Sequence, residues 1–225
     1  MRKTKFLDLG LASYREVWEK QEMLLHEIIS KRDNGQEYCN YLLFVEHPHV
    51  FTLGKNGHEE NLLEDRVKMM NDHVECIRVN RGGDITYHGP GQLVVYPIID
   101  MQAFDLGVKD YVDGLEQVVI NTIEAFDIKG ERLKGATGVW LDPDKPAVRK
   151  ICAIGVKCSK YVTMHGLALN VNTDLSYFNW INPCGFVDKG VTSICKERNN
   201  TPLDMLVLKE EIKQNFVDCF RMEIE

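Results

Sequence analysis

The chain has 225 residues, of which 44% are hydrophobic and 27% charged, as in an ordinary soluble globular protein. Its formal net charge of −7 argues against a dedicated nucleic-acid binder, whose affinity depends on neutralising phosphates. The longest apolar run, Leu93 to Ile99, is far shorter than the roughly 20 residues that span a bilayer. No apolar signal segment follows the basic N-terminus, and the 7 cysteines form no C-x-x-C pair, so a cytoplasmic protein with free thiols is expected.

The first half of the chain predicts one helix followed by strands. Residues 13–31 should form the helix, with Ser13 as a possible N-cap and Gly35 just beyond its end. Its apolar face has spacings of three and four and consists of Tyr14, Val17, Trp18, Gln21, Leu24, Leu25 and Ile28. Strands are predicted at 41–46, 50–53 and 74–79.

The second half predicts a second amphipathic helix over 108–126 and strands at 138–141, 150–156 and 165–171. A last helix should begin at Thr201 to Asp204, with threonine as the cap and aspartate completing a capping box. Residues 187–198 are expected to form a mobile loop. Strands in the middle with helices around them indicate an α+β fold, with a mixed, largely antiparallel sheet and packed helices. No linker divides the chain, so 1–225 is expected to be a single catalytic domain.

The stretch from Arg81 to Gln92, RGGDITYHGPGQ, is rich in glycine and in polar side chains. It alternates as a strand through Ile85 and Tyr87, breaks at the Gly-Pro-Gly of residues 89–91, and continues into an apolar strand. Glycine permits a positive φ and lets a ligand approach the main chain. One interpretation is a hairpin with a glycine-rich turn; the density of polar residues favours a binding site.

Two residues are candidates for chemistry. Cys184 lies between proline and glycine in INPCG, which fixes a loop that can present a thiol, although most lone cysteines are small buried hydrophobes. Lys150 leads directly into a predicted strand, where it either points into a cleft or is a solvated charge at the strand end. A lysine near a cysteine would favour the thiolate, and burial would lower the proton affinity of the lysine. The other cysteines are interpreted as structural: Cys39, Cys76, Cys152, Cys158, Cys195 and Cys219.

No metal site is predicted, because His47 and His49 are the only close histidine pair and no third ligand has a suitable spacing. His88 and His165 each precede a glycine at a strand end and are better candidates for orienting a ligand. Neither a phosphate-binding G-x-x-x-x-G-K-[ST] loop nor a G-x-G-x-x-G fingerprint is present, so no nucleotide cofactor is predicted.

Several motifs together resemble the octanoyltransferases of lipoate biosynthesis. They are RGGDITYHGPGQLVVYPIID, KICAIGV, HGLALNVN and INPCG, with LGLASYREVWEKQ and EHPHVFTLGK before them, in order across residues 6 to 200. The resemblance implies the catalytic-domain fold of biotin and lipoate protein ligases. It makes Cys184 the acyl-thioester cysteine and Lys150 the lysine that lowers the thiol pKa and moves protons. With His165, the residues implied in substrate binding are Arg81, Gly82, Gly83, Asp84, Ile85, Thr86, Tyr87, His88, Ala153, Ile154, Gly155, Gly166, Leu167 and Ala168.

The implied reaction moves an octanoyl group from octanoyl-acyl carrier protein to one lysine of a lipoyl domain. Acceptors would be the E2 subunits of 2-oxo-acid dehydrogenase complexes and the glycine-cleavage H protein. No cofactor is needed, because a thioester donor makes amide formation downhill. The partners are usually acidic, so a local basic patch is expected, with Lys134, Arg149, Lys157 and Lys160 as candidates. The alternatives are an ATP-dependent lipoate or biotin ligase, a lipoyl amidotransferase and a non-catalytic acyl-binding module.

Overall fold

A computed structural model describes residues 2–63, 69, 71–72, 74–182 and 189–225. The described helices are α1 (Tyr14–Asp33), α2 (Val108–Glu124), α3 (Ile194–Glu197) and α4 (Met205–Phe220). The strands are β1 (Lys3–Leu11), β2 (Asn40–Glu46), β3 (Val50–Leu53), β4 (Glu75–Arg78), β5 (Ile85–His88), β6 (Gln92–Ile98), β7 (Glu131–Leu133), β8 (Ala136–Leu141), β9 (Arg149–Ser159), β10 (Val162–Asn170), β11 (Gly190–Val191) and β12 (Glu223–Ile224). Short 3₁₀ turns lie at Glu59–Asn61, Met101–Phe104 and Leu175–Trp180.

The strands form two sheets. The larger has the order β12-β1-β2-β6-β10-β9-β8-β7, with β11 beside β9, and the smaller has the order β4-β3-β5. Parallel pairs join β1 to β2 and β12, β9 to β11, and β3 to β4, whereas the other pairs are antiparallel. This arrangement confirms the α+β prediction of a mixed, largely antiparallel sheet with packed helices.

Helices cover both faces of the larger sheet. On one face, α2 and α4 pack over strand residues such as Phe44 and Leu167. On the other, α1 packs over Leu43, Val94 and Ala168. Because both faces are covered, β6 and β10 are buried along their whole length, which agrees with their near-continuous apolar sequences. Within the described part of the chain, the helices are too short or too polar to cross a bilayer.

The predicted helices over 13–31 and 108–126 are confirmed to within about two residues at each end, the usual margin for a boundary. Strand β1 was not predicted from the sequence. The start of the last helix was wrong by several residues: Asp204, not Thr201, is the N-cap, and its side chain accepts from the Leu206 amide at 2.8 Å. The expected loop at 187–198 was also wrong where it is described, since residues 190–191 form β11 and residues 194–197 form α3, with Ile194 fully buried.

Candidate active site

A cavity of about 390 Å³ lies where the two sheets meet. Its wall takes residues from β5 of the smaller sheet and from β6, β8, β9 and β10 of the larger one. Val94, Tyr96 and Ala168 line it and also belong to the apolar cluster under α1, so the cavity lies on that face of the larger sheet. The volume suits a medium-sized ligand with an apolar part.

The glycine-rich stretch carries the chain from one sheet to the other. Strand β5 pairs with β3 in the smaller sheet, whereas β6 pairs with β2 and β10 in the larger, so the hairpin interpretation was wrong. Gly91 makes the crossing possible with a φ of 78°, and a Cβ there would lie 2.7 Å from the carbonyl of Asn172. The Gly91 amide donates to Glu46 Oε2 at 2.8 Å, which ties the turn to the end of β2.

Arg81 begins this stretch and is almost fully buried. Its guanidinium donates to the carbonyl of Thr52 at 2.7 Å, to Thr52 Oγ1 at 2.9 Å and to the carbonyl of Gly82 at 2.9 Å. The Gly54 amide donates to the Asp84 carbonyl, and a Cβ at Gly54 would lie 2.3 Å from the Gly83 carbonyl oxygen. The backbone of the loop therefore packs directly on the end of β3, which leaves its other side facing the cavity.

His88 is held in the cavity wall as a neutral imidazole. The amide nitrogen of Gln92 donates to the Tyr87 carbonyl and to Asn170 Oδ1, so Gln92 Oε1 must be the acceptor for His88 Nδ1 at 2.8 Å. Burial, followed by the neighbouring His47, lowers the pKa of His88 well below its usual value.

His165 also lines the cavity and has a φ of 59° inside β10. That conformation is strained for a residue with a side chain, and such strain is often found at functional positions. The Asn80 amide nitrogen donates to Glu22, so Asn80 Oδ1 accepts from His165 Nε2 at 2.8 Å. Burial, and then the charge of Arg81, lowers the pKa of His165 to about 3, so this ring is neutral as well.

Lys150 lies in the wall on β9, with its Nζ 4.5 Å from the centroid of the Trp140 ring on β8. Its carbonyl accepts from the Thr192 amide at 2.9 Å, and Val191 of β11 is its parallel pairing partner. The backbone of Lys150 thus lies between two strands, and its half-buried side chain lines the cavity, as the interpretation of a lysine pointing into a cleft predicts.

Cys184 lies outside the described residues. Phe178 before it and Lys189 after it both line the cavity. Of the 6 other cysteines, Cys76 and Cys158 are exposed. Cys152 is fully buried, and burial raises the pKa of its thiol, which makes it a poor nucleophile.

Most of the substrate-binding residues implied by the resemblance line this one cavity. They are Arg81, Gly83, Asp84, Ile85, Thr86, His88, Ala153, Ile154, Gly155, His165, Gly166, Leu167 and Ala168. Gly82 does not line it; its amide donates to the Val156 carbonyl. Tyr87 does not line it either, because its ring stacks on Tyr177 and its hydroxyl bonds to His49.

Other lining residues were not predicted to be in the site. Tyr14 was assigned only to the buried face of α1, and Tyr96 only to a strand, yet both line the cavity. Trp140 could have been found, because the strands at 138–141 and 150–156 were both predicted; only their register was missing. Lining residues from the remaining segments are Val94, Gly135, Ala136, Thr137, Phe178, Lys189, Gly190 and Val191.

The expected basic patch is only partly available for docking. Arg149 is half-buried and bonded to Glu197 and Asp142, and Lys160 pairs with Asp33 at 3.5 Å. Lys134 is exposed, and Lys157 is half-buried. Arg149 is therefore better explained as a structural residue than as a docking residue.

The histidine pair considered for a metal is used in hydrogen bonds. His47 Nδ1 lies 2.7 Å from the Ala12 carbonyl and its Nε2 lies 2.9 Å from the Tyr96 hydroxyl, whereas His49 bonds to Tyr87. Across the described residues, no three His, Cys, Asp or Glu side chains are grouped so that they could hold a metal ion.

Solved structures with the same fold include a bi-partite lipoate protein ligase from Thermoplasma acidophilum. Its TM-score is 0.71 at 14% identity, over 100% of this chain and 86% of that one. A biotin protein ligase from Aquifex aeolicus gives a TM-score of 0.51 at 13% identity, over 98% and 70% of the two chains. The fold is therefore that of the lipoate and biotin protein ligase catalytic domains.

The sequence comparisons are more specific. The family model for the lipoyl protein ligase A/B catalytic domain matches residues 13–217. The octanoyltransferase of Parabacteroides distasonis is 47% identical over 98% of this chain and 100% of its own length. That of Bacteroides fragilis is 49% identical over 93% and 95%. The chain belongs to the lipoyl protein ligase A/B catalytic domain family, and within it the chain is an acyltransferase.

Proposed function

We propose that this chain, as one catalytic domain, transfers the octanoyl group of octanoyl-acyl carrier protein to a specific lysine of lipoyl domains. The acceptors would be the E2 subunits of 2-oxo-acid dehydrogenases and the glycine-cleavage H protein. The transfer would pass through a thioester on Cys184, as the first step of lipoate synthesis in the cytoplasm. The observation that carries the proposal is a lysine, Lys150, in the wall of a largely apolar cavity that Phe178 and Lys189, on either side of the Cys184 segment, also line.

The first step of this proposal exchanges one thioester for another. The thiolate of Cys184 attacks the octanoyl carbonyl carbon, a new C–S bond forms, and the bond to the carrier thiol breaks. Lys150 gives a proton to the departing thiolate and becomes the neutral amine. One thioester replaces another, so the step needs no energy source.

The second step forms the amide. The neutral amine of the acceptor lysine attacks the Cys184 thioester, its surplus proton passes to Lys150, and Cys184 leaves as the thiolate. Both partners are then ready for another cycle. The amide is more stable than the thioester, so ATP is not required. The acyl chain itself would lie against the apolar part of the wall, which includes Val94, Tyr96 and Ala168.

The nearest alternative is an ATP-dependent ligase on the same fold. A lipoate-protein ligase A bound with ATP has a TM-score of 0.69 with this chain, but at 14% identity that likeness concerns the fold alone. The full-length relatives at 47% and 49% identity favour transfer. A ligase would use free octanoate with ATP and would tolerate Cys184→Ala, whereas the proposed transferase would do neither.

The decisive experiment is intact mass spectrometry of the protein mixed with octanoyl-acyl carrier protein. We expect one octanoyl adduct that hydroxylamine removes and that is absent from Cys184→Ser. Cys76→Ser and Cys158→Ser are matched controls, because these two thiols are exposed and would carry any non-specific acylation. Retention of the adduct in Cys184→Ser would overturn the proposed intermediate.

Two further alternatives are separated by the same assay. A non-catalytic acyl-binding module would give no covalent adduct on the wild type. A lipoyl amidotransferase would take its acyl group from octanoylated H protein more readily than from acyl carrier protein. The two donors should therefore be compared at equal concentration.

A further inference from the structure

The Lys150 ammonium rests on the face of an aromatic ring. Lys150 Nζ lies 4.5 Å from the centroid of the Trp140 ring, and both residues line the cavity. Trp140 is 2% exposed, and its indole Nε1 donates to the carbonyl of Ala136 at 3.0 Å. The ring is therefore fixed by packing and by its own strand, so it offers a rigid surface to a flexible side chain.

An irregularity between two strands creates this contact. In the β8–β9 pair, Val139 lies opposite Cys152 but Trp140 lies opposite Lys150, so Ile151 is an extra residue on β9. Such a bulge changes the direction of the side chains that follow it. It makes Trp140 and Lys150 a directly opposed cross-strand pair, whose side chains are close enough to interact.

Gly138 lets β8 approach β9 closely next to Lys150. Its φ is 119°, and a Cβ there would lie 2.5 Å from the Cys152 carbonyl oxygen and 3.5 Å from Lys150 Cε. The Gly138 amide donates to Glu116 Oε1 at 2.9 Å, and Glu116 Oε2 accepts from Arg132 Nε at 2.9 Å. The position of the strand under the lysine is thus held by a carboxylate from α2.

A ring and a carboxylate hold an ammonium in different ways. The negative face of an indole ring attracts a cation moderately, and more strongly in a site with little water. A carboxylate at the same place would bind the ammonium firmly and oppose loss of its proton. A ring therefore fixes the position of a lysine that must both give and take a proton.

We propose that Trp140 is a positioning residue for acyl transfer: its ring holds Lys150 Nζ in the cavity and favours the protonated form of the lysine. This inference rests on the proposed function, which gives Lys150 its part in the reaction. Beyond that function, Trp140 sets the position of the Lys150 side chain and the pH at which it loses its proton.

The first test measures the lysine directly, without substrate. Lysines are labelled by reductive methylation with ¹³C-formaldehyde, and NMR follows their titration, with Lys150→Arg used to assign the Lys150 signal. In Trp140→Leu the midpoint should fall by about 0.4 to 1.5 pH units, with Trp140→Phe in between. Trp18→Leu is the control, because Trp18 is a residue of α1 that does not line the cavity; it should leave the Lys150 midpoint unchanged.

A second set of variants avoids loss of packing. Fluorinated tryptophans placed at position 140 keep the size of the ring while each fluorine weakens its attraction for a cation. The Lys150 midpoint should then fall steadily with the number of fluorines. A Lys150 titration midpoint that stays unchanged both on fluorination and in Trp140→Leu would overturn the inference.

Transfer assays separate this inference from the proposed function. If Lys150 is the proton carrier, the pH dependence of octanoyl transfer should shift together with its titration. If the titration shifts and the transfer profile does not, the ring still holds the lysine, and it is the proposed role of Lys150 in transfer that fails.

Discussion

The ion pair between Arg149 and Glu197 joins β9, directly before Lys150, to the short helix α3. Arg149 Nε and Nη2 donate to the two carboxylate oxygens of Glu197 at 2.7 and 2.6 Å, a bidentate arrangement. Thr192 donates its hydroxyl to the same carboxylate, and its amide donates to the Lys150 carbonyl. We expect Glu197→Gln to weaken the attachment of residues 190–197 to β9.

The size of the effect follows from burial. The side chains of Arg149 and Glu197 are 24% and 18% exposed, between a surface pair and a buried one. Surface pairs contribute at most about 1 kcal/mol, whereas removal of one partner of a buried pair costs about 3 to 5 kcal/mol. We expect Glu197→Gln to lower the free energy of unfolding by about 2 kcal/mol, which for a chain of this size lowers Tm by roughly 4 to 8 °C.

The assay is urea unfolding at pH 7.5 of the wild type, Arg149→Gln, Glu197→Gln and the double variant. The coupling energy between the two sites should be at least about 1 kcal/mol. Asp113→Asn is the control, because it removes the exposed Lys109–Asp113 pair, and it should leave the midpoint unchanged. Formation of the octanoyl adduct should also slow in Glu197→Gln, since β11 pairs directly with Lys150.

The pH dependence gives a separate check. Hydrogen bonds from Arg149 are the main cause that holds the pKa of Glu197 below its usual value of 4.5, against the opposing effect of burial. A carboxyl with a lowered folded-state pKa contributes stability above its unfolded pKa and loses it as the pH falls through the folded value. The difference in the free energy of unfolding between the wild type and Glu197→Gln should therefore become smaller below pH 4.5. Two results would refute an interaction between charged groups as the source of this stability. One is a difference in the free energy of unfolding that stays the same in acid, and the other is a double variant whose loss of stability at pH 7.5 equals the sum of the two single losses.

Acid should destabilise the protein through three buried neutral histidines, His47, His88 and His165, whose pKa values are all lowered, chiefly by burial. These histidines bind protons near pH 6.5 in the unfolded chain but not in the folded one. Each should therefore lower the free energy of unfolding, measured with urea, by about 1.4 kcal/mol between pH 7.5 and 5.5. A urea midpoint that does not fall over this range would contradict their neutral state. Gly166→Ala should cost about 3 kcal/mol, since its Cβ would lie 2.1 Å from the Val95 carbonyl oxygen. Gly82→Ala, where the nearest atom is 3.4 Å away, is the matched control and should cost less than about 1 kcal/mol; equal costs would show that the close approach at Gly166 relaxes freely.

Elements with a strong local pattern could be predicted from the sequence. Helix α1 was found because its apolar residues recur every three or four positions, and the same spacing revealed α2. Strand β1 could not be found in this way. Only Thr4 of its nine residues is fully buried, and the strand is held by backbone pairing with β2, a contact between segments that are distant along the chain.

The start of α4 shows a second limit of local patterns. Thr201 and Asp204 are both good capping residues, and the sequence between them fits either choice. The tertiary structure selects Asp204: the Leu203 backbone amide donates to Asn172 Oδ1 at 2.9 Å, and Asn172 Nδ2 donates to the Leu203 carbonyl at 2.8 Å. These two bonds hold the chain extended at Leu203, so the helix begins only after it.

The candidate site shows the same division. Its segments were identified by their residue types, because glycine-rich turns and polar clusters beside strands are unusual enough to notice. The contact between Trp140 and Lys150 depends on one extra residue in β9, and no local signal in the sequence reveals a bulge of that kind. The crossing of the chain between the two sheets at Gly91 was likewise hidden, because a turn between strands has the same composition whether or not they pair with each other.

The charges around the cavity bear on what it can stabilise. Among the described lining residues, Arg81, Lys150 and Lys189 are basic, whereas Asp84 is the one carboxylate. Asp84 accepts from Asn61 Nδ2 at 2.7 Å and from the Ile85 amide at 2.7 Å, so two neutral donors stabilise its carboxylate. The histidines in the wall are neutral, because burial lowers their pKa values. A wall with this balance favours a negative group inside it, and both a thiolate and the oxyanion of a tetrahedral intermediate carry a negative charge.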